Sequence, residues 1–178
     1  MSIVKEEEIK IKALKETGEK MMLAARTAPK ARGVDNLEIA MLEGDSIISL
    51  AEKMKEIGEK MSRPFFLRDA ANIRNSPVVI LIGTKIRTIG LKEICGLCGF
   101  ENCDEKEKHP SIPCIYNTND LGIAIGSAVS IAADNRVDCR VMFSAGRAAL
   151  ESDLLGADVK IIFAIPLSAS GKSPYFDR

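Results

Sequence analysis

The sequence predicts an α/β or α+β three-layer domain, a sheet of about four strands held between layers of helix. Three observations carry that expectation. Helix-like and strand-like apolar patterns interleave along the chain. One run, Pro77-Val78-Val79-Ile80-Leu81-Ile82-Gly83, is continuously apolar, as a central strand covered on both faces should be. A length of 178 residues with 46% apolar side chains allows one compact core and a small inserted module.

From the N-terminus, Lys5 to Ala28 reads as a helix. Ile9, Leu14, Met21, Met22 and Ala25 recur at near-helical intervals among Glu and Lys, and Pro29 closes it. Gly33 marks a loop. Leu37 to Leu42 alternates apolar and polar at its start and reads as a strand, stopped by Gly44. Asp45 or Ser46 then caps a helix whose apolar face is Ile47, Leu50, Ala51, Met54, Ile57 and Met61. Pro64 separates it from a second helix, Phe65 to Asn72, and the apolar strand follows.

After a cysteine-rich stretch, Asp120 to Asp134 reads as a helix. Its residues Leu121 to Val129 are nearly all apolar or small, and a helix apolar on all sides is a buried one. Val137 to Phe143 reads as a short strand. Ser144 caps a helix that runs to Leu155 and is closed by Gly156. Val159 to Ile165 is the last strand, ended by Pro166, and a polar tail runs from Ser168 to Arg178.

Charge and composition narrow the function. With 25 basic and 25 acidic side chains there is no basic face for nucleic acid. Aromatics make up 4% and Trp is absent, so a base-stacking platform is not expected either. No apolar run approaches the roughly 20 residues that cross a bilayer, and Met1 to Lys15 lacks a signal-peptide core. A cytoplasmic protein with no membrane and no nucleic-acid partner is the expectation. Its five cysteines are then better read as ligands or free thiols than as disulfides. With one His, no Ser-His-Asp or paired-carboxylate pattern and no glycine-rich dinucleotide fingerprint, any chemistry should come from a cofactor.

The cysteines point to that cofactor. Cys95, Cys98, Cys103 and Cys114 are spaced C-x2-C-x4-C-x10-C. Thiolates so close in sequence converge at little loop-closure cost. Gly96 and Gly99 let the backbone bend around a centre and aim N–H groups at sulfur. An iron–sulfur cluster, chiefly [4Fe–4S], fits this pattern, with Leu97 and Phe100 to exclude water. Structural zinc is the alternative, with His109 able to replace Cys114; zinc knuckles more often show two C-x2-C pairs. Incidental buried thiols are the third reading. Cys139 reads as a core thiol that could stand in for Cys114.

The segment Cys95-Gly96-Leu97-Cys98-Gly99-Phe100-Glu101-Asn102-Cys103 resembles the Cys-x-x-Cys-Gly-x-x-x-Cys core of the 4Fe–4S domain in corrinoid iron–sulfur proteins and membrane electron-transport ferredoxin subunits. The last interval is shorter than in most of those proteins. The whole chain is similar to a family of small, uncharacterised bacterial and archaeal proteins with a ferredoxin domain. That resemblance implies cluster ligation by Cys95, Cys98, Cys103 and Cys114, on a segment inserted at 92–116.

A second resemblance covers the remainder. Ala24-Ala25-Arg26-Thr27-Ala28-Pro29-Lys30-Ala31 resembles a helix end and loop of flavin-dependent nitroreductases. Asn119 to Val129 resembles their central helix, and Val159 to Pro166 with terminal Arg178 their final strand and tail. This implies one nitroreductase-like α+β three-layer sandwich over 1–178, a homodimer, and FMN at the subunit interface near Arg26, Lys30, Arg32 and Arg178. The chain departs from those enzymes near its N-terminus, where Lys5-Glu6-Glu7-Glu8 replaces an Arg-rich phosphate-holding segment. Arg147 is a further cation considered for such a role. The function expected is redox: electron transfer through the cluster, or a flavin-assisted oxidoreductase, with an unidentified redox partner. The alternative is a non-enzymatic protein with structural zinc.

Overall fold

The computed structural model describes residues 3–176. Four antiparallel strands form the sheet, in the order β1-β2-β4-β3. They are β1 (Leu37–Glu43), β2 (Val78–Lys85), β3 (Asp138–Cys139) and β4 (Val159–Ser168). The helices are α1 (Glu6–Thr27), α2 (Asp45–Lys60), α3 (Pro64–Arg74), α4 (Cys103–Glu107), α5 (Ile115–Asp134) and α6 (Phe143–Glu151).

Side chains of β2 alternate between two cores, which is why the strand is apolar throughout. Val79 and Leu81 face a core with α2, α3 and α6. Val78, Ile80 and Ile82 face one with α1 and α5. The three-layer expectation holds, and the layers are helices, antiparallel sheet and helices. On α2, Ile47, Leu50, Ala51, Met54 and Ile57 are all buried, as their spacing requires. Met61, counted on that face, lies past the helix end and is exposed. Gly146 is needed where α6 meets β4: a Cβ there would collide with the Ile162 carbonyl.

Four elements differ from expectation, α6 among them: it ends at Glu151 and not Leu155, and Ser144 lies inside it without capping it. The strand over 137–143 shrinks to the two residues of β3, paired with Ser168 and Leu167. The next partner along β4 is Pro166, which has no N–H to give, so the ladder breaks there and resumes in the same register only as the single bridge Met142–Ala164. Pro166 itself stays inside β4, paired opposite Val79 on the β2 side. Helix α5 begins at Ile115, close to the cysteines, and is not buried all round. Leu121, Ala124, Ala128 and Ala132 are buried, while Gly122, Ile123 and Gly126 are exposed.

A buried polar knot ties α3 to the start of α6. Ser144 Oγ donates to Asp69 Oδ2 at 2.6 Å, and Arg68 donates to Asp69 Oδ1 at 2.7 Å. Among the described residues no helix is long and apolar enough to cross a membrane.

Candidate metal centre

Residues 86–114 join β2 to α5 with only a single 3-10 turn, Lys92–Ile94, and short α4 as regular structure. Polar contacts fasten this segment to the sandwich. Arg32 Nη1 donates to Ile89 O at 2.7 Å and to Gly90 O at 3.0 Å. Asn117 Oδ1 accepts the Arg87 N–H at 3.0 Å. Within the segment itself, Thr88 Oγ1 donates to Glu107 Oε1 at 2.5 Å. The segment cannot supply its own core, so these bonds fix where it sits.

Cys95, Cys98, Cys103 and Cys114 all line one narrow, almost wholly apolar pocket in this segment, with Phe100 and Lys106 among its walls. Cys114 is buried at the start of α5; the other three are half-buried. Gly96 and Gly99 take positive φ of 61° and 84°, turning the chain around the pocket. The Lys92 N–H donates to Cys103 Sγ at 3.2 Å, the kind of bond that tunes a thiolate ligand. The interior is about 10 Å³, room for roughly one water. Among the described residues no three Cys, His, Asp or Glu side chains already stand as a metal-binding group. The four thiols suit an iron–sulfur centre in donor type, and gathering them around one requires the pocket walls to part.

Other residues considered at this site lie apart. Cys139, on β3, does not line the pocket, and burial, with help from Asp138, pushes its thiol pKa up. His109 is exposed and stacks on Phe100 with ring centres 5.0 Å apart. Leu97 is 64% exposed and shields nothing, so Phe100 is the apolar wall. Lys106 was hidden in sequence within a charged run. Its spacing of three from Cys103, one helical step, is the signal that places it on the pocket.

The cations considered for a flavin phosphate are occupied by the chain itself. Arg26 pairs with Asp35 at 2.7 Å and donates to Leu37 O at 2.9 Å. Lys30 donates to the Ala25 carbonyl at 3.0 Å and to the Arg26 carbonyl, closing the end of α1. Burial lowers its pKa, with Asp35 opposing. Arg32 holds the cysteine segment, as above, and Arg147 pairs with Glu151 at 3.0 Å. Arg178 lies outside the described residues. Beside Lys30, Asp120 is buried and accepts the Ala31 N–H with both oxygens, at 3.1 and 3.2 Å.

The architecture is nitroreductase-like. Over 92% of this chain it matches a BluB-like flavoprotein from Clostridium difficile 630, with TM-score 0.55, 18% identity and 85% of that chain covered. It also matches an FMN-dependent nitroreductase from Clostridium difficile R20291, with TM-score 0.53 and 16% identity over 92% of this chain and 82% of that one. Residues 111–178 match the family described as uncharacterized proteins containing a ferredoxin domain (DUF2148). An uncharacterized protein of Archaeoglobus fulgidus is 42% identical across 98% of this chain and 94% of its own length. The chain belongs to this ferredoxin-domain family. The matched part holds Cys114 and Cys139; Cys95, Cys98 and Cys103 precede it.

Proposed function

We propose that the chain is a redox protein that binds a [4Fe–4S] cluster through Cys95, Cys98, Cys103 and Cys114. The observation that carries this is their shared pocket, which all four thiols line and Cys139 does not. The cluster would supply reversible one-electron transfer. The chain's own contribution is the four sulfur donors, the Lys92 N–H on Cys103, and a sandwich that anchors the segment through Arg32 and Asn117. In this reading residues 92–116 are the inserted module of a single domain over 1–178. Ile94 and Leu97, 84% and 64% exposed beside the first two thiols, suit a surface that a redox partner covers.

The test is iron, zinc and acid-labile sulfide content per chain, on protein purified without oxygen. Iron and sulfide in equal amounts, with visible absorption bleached by dithionite, is the expected result. Zinc without sulfide would replace this reading with the structural one.

FMN, on which the Clostridium difficile R20291 nitroreductase depends, does not fit Arg26, Lys30 and Arg32 as the chain holds them. Arg26, Lys30 and Arg32 are each held by oxygen atoms of the chain, so no flavin step is part of the proposal. A homodimer is part of it, through the uncovered face of α5 at Gly122, Ile123 and Gly126. The setting proposed is cytoplasmic, where thiols stay reduced.

A further inference from the structure

Lys106 is the only buried Lys or Arg among the described residues, at 2% exposure. Buried charges are ordinarily paired. The two buried carboxylates are: Asp69 holds Ser144 and Arg68, and Asp120 holds the Ala31 N–H. Lys106 has no hydrogen-bond or ion-pair partner among the described residues, and its Nζ keeps a narrow contact with solvent. Its neighbours on α4 are engaged elsewhere or turned out. Glu105 takes Lys108 at 2.6 Å, Glu107 takes the Thr88 hydroxyl, and Asp104 is exposed. What Lys106 does share is the pocket of the four cysteines, one helical step from Cys103.

We infer that Lys106 is the built-in counter-charge of the four-cysteine centre, its ammonium balancing thiolates that carry negative charge only once they are ligands. An unpaired cation on a side chain this buried, its Nζ alone keeping contact with solvent, is mildly unfavourable in the metal-free chain. It becomes favourable when four thiolates gather beside it. A cluster gains one negative charge on reduction, so a fixed cation in an apolar pocket holds the reduced form more strongly and raises the potential. Lys106 is therefore a positioning residue for charge and not a ligand.

This inference rests on the cysteines taking a metal, and the experiment separates the two. Lys106→Met keeps the aliphatic stem and removes the charge; Lys106→Gln is the second variant, and Lys106→Arg restores the charge. In anaerobically reconstituted protein, Lys106→Met and Lys106→Gln should shift the one-electron equilibrium tenfold or more toward the oxidised form. That is about 59 mV lower in midpoint potential, or more. Lys106→Arg should return most of the shift. In metal-free protein Lys106→Met should melt higher than the wild type. Titrated with Co²⁺ alone, it should bind at least tenfold more weakly. Wild-type midpoint and Co²⁺ affinity in Lys106→Met would overturn the counter-charge role while leaving the cysteine site intact. A wild-type chain that takes up neither iron and sulfide nor Co²⁺ as thiolate complexes would overturn both.

Discussion

The backbone N–H of Lys92 points at Cys103 Sγ across 3.2 Å, so the turn that precedes the C-x2-C pair already holds the third cysteine. A segment that spends a backbone donor on sulfur is arranged for thiolate, because N–H···S bonds are strongest to charged sulfur.

Substitution of the cysteines follows directly. Cys98→Ser should abolish iron and sulfide uptake, since it removes one of the four pocket donors. Cys139→Ser should leave uptake unchanged, because Cys139 sits on β3 with a thiol kept protonated by burial. Metal analysis of both variants checks this, and the reverse pattern would overturn the ligand set.

Arg32 separates a bracing role from a phosphate-binding one. Arg32→Met removes two bonds to the carbonyls of Ile89 and Gly90. At a partly exposed site that should cost about 1 kcal/mol. The loss should appear as faster amide hydrogen exchange over residues 86–94. Unchanged exchange together with loss of FMN binding would show that the guanidinium serves a phosphate instead.

The carboxylates near Lys30 give pH dependences of opposite sign. Burial raises the Asp120 pKa, with the Ala31 N–H and Lys30 offsetting part of it. The folded chain therefore holds this proton more tightly than the unfolded chain. Ionisation of Asp120 takes stability away as pH rises from the ordinary carboxylate range through the raised value. Asp35 is lowered: burial opposes, but the Arg26 and Leu37 hydrogen bonds prevail. Its contribution is present above the ordinary carboxylate range and lost as pH falls through the lowered value. Asp120→Asn should thus raise the melting temperature at neutral pH, with the gain shrinking in acid. Asp35→Asn should lower it at neutral pH, with the loss shrinking in acid. Melting curves from about pH 3 to 8 test both, and parallel slopes in all three proteins would contradict the assignment.

Much of the sandwich is legible in sequence because burial imposes a period. Ile47 to Ile57 on α2 and Val78 to Ile82 on β2 show the helical spacing and the two-faced strand that their cores demand. The short β3 is not legible, because what ends it is Pro166, far along the chain and adjacent only through β4. The fold sets the four thiols on one pocket, and that they lie close together is legible from spacing alone. Lys106 is not, since a lysine among Asp104, Glu105 and Lys108 reads as solvated until the fold buries it. The uncovered face of α5 is hidden for another reason: Gly122, Ile123 and Gly126 are small or apolar, and core and interface select the same residues.

That face gives the test of the homodimer. Within its own chain a Cβ at Gly122 or Gly126 would meet nothing within 4 Å, so neither glycine is required by the packing of α5 onto α1. Glycine inside a helix is about 1 kcal/mol less favourable than alanine, so two on one open face suggest a second backbone close by. In Gly126→Glu the new side chain fits the single chain and improves helix propensity, and the fold should be retained by circular dichroism. Across an interface the same carboxylate would be buried without a partner, which is strongly unfavourable. Sedimentation should therefore show a wild-type dimer and a Gly126→Glu monomer. A variant that sediments as a dimer would place the subunit contact elsewhere than on α5.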